Sequence, residues 1–467
     1  MPPSATEQDL NESKPEPSLS LHAEYLPNIR QVSLQISVAD HADSTHGLEI
    51  SLTESRKAVM VSVPGLYARS EGLSETMKLP VRVGEAARRV LNARTSGRSN
   101  ATMATTTKVN SVHDKTASPT QEYSYRMPVD DEDVQRSALE EVMDGFVPWA
   151  AGDMDSSTKL RCRACEGVLL DVPEPHVGNK ALQSGKNVEP QPVRWTWKDL
   201  PSYHWAEMMD FWHCHKPDEP EHAGDAAAKK SAEYENSQVK GYGASNQVLA
   251  IPGTVLVDVA TFLVSDRDCK GLKKVSAEQT DNSGSPEEEL LCEGCDRLIG
   301  VEDKIAKGWR LFKTSVSAGF PTEGDIARVK WDSHPTDLVV AAQLLELIER
   351  ESARRFVIHC GKKDGLLIWV FNPDMRYSSS TNEHNISSQR ALKVFFQITD
   401  NVEELLHLEP GETSSLSLEE LRLPSDTFIA FFHALGKSNS RLPPSARKFQ
   451  KNWSVGILHR HETVKPT

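Results

Sequence analysis

The residues best placed to do chemistry come as two pairs, Cys162-Arg163-Ala164-Cys165 and Cys292-Glu293-Gly294-Cys295. Two thiols separated by two residues can turn onto one ion, and four thiolates make the tetrahedral sulfur set that structural zinc prefers. A single Cys-x-x-Cys also fits a redox dithiol; two of them in one chain point to metal. With 126 residues between the pairs, the ion would pin distant segments and contribute directly to folding free energy. Four thiolates leave no position for an activated water, and the chain has no His-Glu-x-x-His segment. Both facts argue against hydrolytic zinc chemistry.

His213-Cys214-His215 is a second group of reactive types. A thiol between two imidazoles becomes a nucleophile when one imidazole reaches it. Neighbouring side chains on a strand face opposite ways, so three readings stand: thiol chemistry, a ligand for a second metal, or a cysteine packed behind Trp212. Cys269 lies in a polar turn with no evident partner, and Cys360 stands at a strand end where packing is the default. The acidic residues form no spaced pair of the glycosidase kind, and no Gly-rich phosphate loop follows a strand. Lys362-Lys363 and Arg447-Lys448 are too few to make an RNA site.

The net charge of −14 over 467 residues argues against a nucleic-acid surface, which needs concentrated Lys and Arg. No run of eighteen apolar residues exists, and the polar first twenty residues predict neither signal peptide nor membrane anchor. Seven cysteines, mostly in metal spacing, suit a reducing compartment, cytoplasmic and/or nuclear.

These residues need elements to hold them. Residues 1–20 read as a disordered tail and 21–160 as a β-rich region with a flexible insert near 92–120. Residues 161–320 form the zinc-binding region with polar inserts, and 321–467 a C-terminal α+β region. Strict alternation in Gln31–Val38, and shorter runs at 48–52, 58–63 and 79–83, predict strands with one buried face. A helix is expected from Asp130 to about Met143, another over Pro335–Arg354 with Leu338, Ala341, Ala342, Leu345 and Ile348 inward, and a third over Asp426–Leu435. Two apolar runs flank the polar turn 361–365, the second ending at Asn372-Pro373-Asp374. Trp205, Met208, Met209 and Trp212 recur at helical spacing after Ser202, giving a large apolar face for packing or for docking a partner. The fold class is therefore α+β and β-rich: antiparallel sheets, a four-cysteine zinc-knuckle module and a C-terminal helix/sheet portion.

Taken together, Cys162-x-x-Cys165, Leu200-Pro201-Ser202 leading to Trp205, Trp212-x-Cys214-His215, Cys292-x-x-Cys295 and Leu367-Ile368-Trp369-Val370-Phe371-Asn372-Pro373-Asp374 resemble one family. It is the HECT-like proteins that bind ubiquitin-conjugating enzymes, and the likeness runs over roughly residues 25–460. The resemblance implies binding of a ubiquitin-charged conjugating enzyme, acceptance of ubiquitin on a cysteine, and transfer to a protein lysine. It also implies a link to pre-messenger-RNA cleavage and polyadenylation through that machinery's endonuclease subunit, in which the protein would serve as an assembly factor. A HECT ligase keeps its cysteine near the carboxyl end in a Thr-Cys context, whereas this chain has no cysteine after Cys360. Cys214 is then the first relay candidate, with His213 or His215 assisting. The expected partners are a conjugating enzyme and ubiquitin, with neither direct nucleic acid nor membrane.

Overall fold

The computed structural model describes residues 18–39, 48–63, 73–95, 104–109, 120–130, 145–171, 194–200, 248–276, 288–322, 325–381, 384–406, 418–450 and 452–462. These form two compact units, each assembled from separated segments. One takes residues up to Asp144 with Lys363–Val402 and Leu435–Glu462; the other takes Gly145–Lys362 and Glu403–Ala434. The chain is β-rich with antiparallel sheets, as its alternating patterns predict. No helix among the described residues is long and apolar enough to cross a membrane.

The first unit is built on an antiparallel sheet. Its strand order is Lys448–Phe449, Trp453–His459, His384–Thr399, Gly365–Thr381, Ser18–Leu26, Gln31–Ala39, Thr120–Pro128, Ala104–Val109. The alternating run behaves as its pattern demands: Val32, Leu34, Ile36 and Val38 are buried on one face. They pack with Leu21, Ala23 and Tyr25 against Ile50, Val59, Val61 and Met77 of a second, three-stranded sheet. The opposite face carries the buried pair His22 and Glu24. Burial there drives the Glu24 carboxyl up, but the His22 hydrogen bond and the Lys393 ammonium outweigh it and hold the pKa at about 2.

Several sequence expectations are corrected here. A strand, Ser18–Leu26, begins inside the stretch expected as a tail. Leu79–Val83 forms no strand: Pro80 lacks an amide donor, and Val83 makes an isolated bridge to Val129 while Leu79 and Val83 stay buried. The insert near 92–120 is not wholly irregular. Helix Ala86–Thr95 enters it, seating Ala87 and Leu91 in the core, and strand Ala104–Val109 joins the sheet edge. Asn372-Pro373-Asp374 does not end a strand, because Gly365–Thr381 runs through it with a shifted register. A bulge absorbs the proline's missing donor, and the Asn372 Oδ1 accepts the Asp374 amide at 3.0 Å.

Among the described residues the second unit holds two sheets, besides the parallel pair Arg355–His359 and Leu418–Arg422. The larger orders Thr196–Asp199, Thr254–Val257, Thr261–Val264, Gly308–Phe312, Leu298–Asp303, Glu288–Cys292 and Leu272–Ser276; the smaller orders Asp325–Asp332, Val316–Thr322, Lys159–Cys162 and Val168–Leu170. One core joins them, in which Leu160, Leu169, Leu170 and Val316 meet Val255, Phe262, Leu290, Ile299 and Leu311. The helix Thr336–Glu351 starts after Pro335 as expected, yet Val339, Val340, Leu344 and Leu347 are buried alongside Ala341, Ala342 and Leu345. It is covered nearly all round instead of along one stripe, which is the pattern of an interior helix. The third helix extends further than expected, over Ser425–Arg441, with Phe431 and Leu435 buried and Phe432 exposed. From Leu435 onward this helix is tied to the strand Trp453–His459: Asn439 Nδ2 donates to the carbonyls of Arg447 and Val455 at 2.8 and 2.7 Å. The helices expected after Asp130 and Ser202 lie outside the described residues.

Candidate metal centre

Each Cys-x-x-Cys caps a short antiparallel hairpin. The first lies between Lys159–Cys162 and Val168–Leu170, the second between Glu288–Cys292 and Leu298–Asp303. Both are built alike, 130 positions apart in sequence. In the first turn the Cys162 amide donates to the Gly167 carbonyl at 2.8 Å and the Glu166 amide donates to the Cys162 carbonyl at 3.0 Å. In the second, the Cys292 amide donates to the Arg297 carbonyl and the Asp296 amide to the Cys292 carbonyl, both at 2.9 Å. The residue after each second cysteine takes the left-handed region, Glu166 at φ 63° and Asp296 at φ 56°. Each hairpin also carries the same register shift, Leu160 opposite Leu170 then Arg161 opposite Val168, and Leu290 opposite Gly300 then Leu291 opposite Leu298. That common bulge turns both cysteines of a pair to one side.

The four sulfurs converge. All lie within 4.8 Å of one another, with Cys162 Sγ 3.7 Å from Cys295 Sγ and Cys165 Sγ 3.5 Å from Cys292 Sγ. A zinc–sulfur bond of about 2.3 Å in a tetrahedron places sulfurs about 3.8 Å apart, whereas a disulfide needs about 2.05 Å. The donor set and spacing therefore fit one ion with four thiolate ligands. Burial drives the Cys162 thiol up, and that of Cys292 up to about 12. The Gly167 amide, followed by the Cys292 and Cys295 sulfurs, draws exposed Cys165 down to about 7. A cation must therefore displace protons from the two buried thiols, and its charge then makes burial of thiolates tolerable.

The surroundings brace this centre. Arg163, inside the first turn, receives its orientation from three carbonyls: its amide donates to Ser315 at 3.0 Å and its Nη1 donates to His334 at 2.9 Å and Thr314 at 3.4 Å. Arg161 lies 4.2 Å over the Trp331 ring and donates to Glu166 at 3.0 Å. Between the turns runs the Cys269–Gly271 segment, where the Lys270 amide donates to Leu169 and the Gly271 carbonyl accepts from Glu293, both at 2.9 Å. Gly271 holds φ +63° with its α-carbon close to the Val168 carbonyl, 3.1 Å from where a β-carbon would stand. Cys269, read from sequence as a polar-turn residue, packs in the core against both sheets, and burial pushes its thiol well above the ordinary range. The cysteine spacing alone did not mark Arg163 or Gly271; the paired pattern Cys-x-x-Cys-acid-x-apolar in both hairpins does mark Glu166 and Asp296.

Outside this set, Cys360 is half-buried beside His359. His359 Nδ1 accepts from the Gly361 amide at 3.1 Å, so its Nε2 carries the proton that it donates to Glu420 at 2.7 Å. His213, Cys214 and His215 lie outside the described residues.

The profile of the HECT-like ubiquitin-conjugating enzyme (E2)-binding family matches residues 24–455. The chain belongs to that family. The matched span of this HECT-like chain takes in both cysteine hairpins and strands of both units. It is similar to an uncharacterised protein of Saccharomyces cerevisiae, 24% identical over 65% of this chain and 79% of the relative. It is also similar to an uncharacterised protein of Schizosaccharomyces pombe, 25% identical over 67% of this chain and 77% of the relative. No solved structure matches it.

Proposed function

We propose that the protein binds a ubiquitin-charged conjugating enzyme and promotes transfer of ubiquitin to a protein lysine, with zinc holding the platform. Membership of the E2-binding family over residues 24–455 carries this reading. The metal centre supports it as architecture: four thiolates close the coordination sphere, so the ion bonds two hairpins and activates no water. Cys214 is the relay thiol. Its thiolate attacks the carbonyl carbon of the enzyme–ubiquitin thioester, the bond to the enzyme's cysteine breaks, and that thiol leaves with a proton. A lysine amine then attacks the new thioester and frees Cys214, with His213 or His215 taking the proton.

A second reading has no thioester on this chain. One observation favours it: among the described residues the exposed cysteine, Cys165, belongs to the candidate metal set, while Cys269 and Cys360 are half-buried. The conjugating enzyme would then pass ubiquitin directly to a client, or the protein would act as a nuclear or cytosolic assembly factor for a client such as the pre-messenger-RNA cleavage endonuclease.

Purified full-length protein, assayed for zinc, should capture one or more conjugating enzymes from a panel of charged and uncharged forms. Capture of none would remove both ubiquitin readings. Discharge of ubiquitin by wild type, Cys214→Ser and Cys214→Ala separates the two. A serine-linked ubiquitin ester on Cys214→Ser and no transfer by Cys214→Ala support the relay; undiminished transfer by both variants leaves the direct route.

A further inference from the structure

The four sulfurs are not equally reachable. Cys162 and Cys292 end strands and sit in the core at 0% and 2% exposure, Cys295 is half-buried, and Cys165 is exposed. Two glycines make the difference. A β-carbon at Gly167 would stand 3.4 Å from Cys165 Sγ, and one at Gly294 would stand 3.3 Å from the same atom. The two positions that flank this sulfur, one from each hairpin, therefore carry no side chain to cover it.

We propose that Cys165 is a modification site: the ligand that soft electrophiles of the α,β-unsaturated carbonyl class reach first, its alkylation opening the metal centre. This inference rests on the zinc reading of the four cysteines. In the step, the Cys165 sulfur lone pair forms a carbon–sulfur bond at the β-carbon of the electrophile. Alkylation uses the lone pair with which Cys165 would hold an ion, and the enolate that results takes a proton from water. The thioether formed carries no charge and is a poor zinc ligand, so three thiolates remain and the ion is lost to a competing chelator. The two hairpins are then no longer bonded to each other through the ion.

The test uses full-length zinc-loaded protein treated with N-ethylmaleimide in limiting amount, beside a chromogenic zinc chelator. Adducts are located by peptide mass spectrometry as zinc release is followed. Cys165 is expected to react about ten-fold faster than Cys162 or Cys292, with one zinc released for each Cys165 adduct. Gly167→Ala keeps all four ligands and adds a methyl group at ordinary contact distance from Cys165 Sγ. It should retain zinc and slow the Cys165 reaction several-fold, a change that a ligand substitution could not isolate. Equal rates at the four ligands, or Cys165 adducts that keep their zinc, overturn the inference. An unchanged Cys165 rate in Gly167→Ala overturns it as well. Absence of zinc from the untreated protein is a separate outcome, which removes the metal reading and this inference with it.

Discussion

The ammonium of Lys313 donates to the carbonyl oxygen of Pro148 at 2.6 Å with its side chain fully shut from water. The charge lies 5.1 Å from the Phe262 ring centre, a contact that partly replaces lost hydration. The residue opens the turn that receives Arg163 of the first cysteine hairpin.

Burial lowers the Lys313 pKa to about 7, while Asp258, Asp199 and Asp153 oppose the shift from a distance. The unfolded chain holds its proton up to the ordinary lysine range, so between about pH 7 and 10 the unfolded state binds more protons than the native one. Stability from this group therefore rises with pH across that window, by at most about 1.4 kcal/mol per pH unit. Below it the burial penalty is fully present; above it the penalty is gone. Lys313→Met should flatten the rise measured by urea unfolding from pH 7 to 10. Parallel curves for the two proteins would show that Lys313 is not responsible.

Zinc affinity should depend on pH. Cys162 and Cys292 are held protonated by burial, and Cys165 titrates at about 7 in the absence of a cation. Binding must then release at least the two protons of Cys162 and Cys292 near neutrality, and affinity should climb steeply from pH 6 to 8. Competition against a chelator at three pH values reads the slope directly. A flat line is incompatible with four thiolate ligands drawn from these thiols.

Replacing a buried ligand should damage the fold more than replacing an exposed surface residue. Cys292→Ser leaves a hydroxyl at a position 2% exposed in the core that joins two sheets. Loss of bound zinc, with destabilisation above about 3 kcal/mol, is expected by metal analysis and thermal unfolding. A variant that binds no zinc yet melts with wild type would deny the ion its structural role.

Two glycines should respond in opposite directions. In Gly300→Ala the new carbon would stand 2.1 Å from the Arg310 carbonyl oxygen across the hairpin, so the ladder must open, at a cost of about 3 kcal/mol. Gly436, inside the helix Ser425–Arg441, has nothing within 4 Å of the same carbon. Gly436→Ala should therefore stabilise by about 0.5–1 kcal/mol through helix propensity. Chemical denaturation of both variants checks the pair, and a destabilised Gly436→Ala is the result that contradicts it.

Asp374→Ala should be costly for a residue in a bulge. Its carboxylate takes Arg390 Nε and Nη2 at 2.7 and 2.8 Å, and Arg390 is 1% exposed. Arg460 Nη1 approaches Asp374 Oδ1, the oxygen that accepts from Arg390 Nε, at 3.3 Å. Removing the acid leaves buried guanidinium charge without its counter-ion, worth about 2–4 kcal/mol. Asp374→Asn, which keeps shape and loses charge, should fall between wild type and alanine; equal stability of all three would mean that the ion pair contributes nothing net.

The sequence by itself marked the four cysteines that the structure brings together, because Cys-x-x-Cys spacing places two thiols within one turn and needs no distant information. It also settled the β-rich class and the buried face of Gln31–Ala39, since alternation with period two is a local property of the strand. It did not show that Ser18–Leu26 lies between Gln31–Ala39 and Gly365–Thr381, with Leu21 opposite Ser380. Nor did it show that Asn372-Pro373-Asp374 would be carried through a strand as a bulge. Pairings between remote segments are chosen by which apolar faces cover each other, and a proline that ends an isolated strand is tolerated once a neighbouring ladder and a buried arginine hold the chain. The same holds at the candidate metal centre: four identical thiols in the sequence become two buried, one half-buried and one open only when the hairpins pack, because exposure is a property of what surrounds a sulfur and not of the sulfur itself.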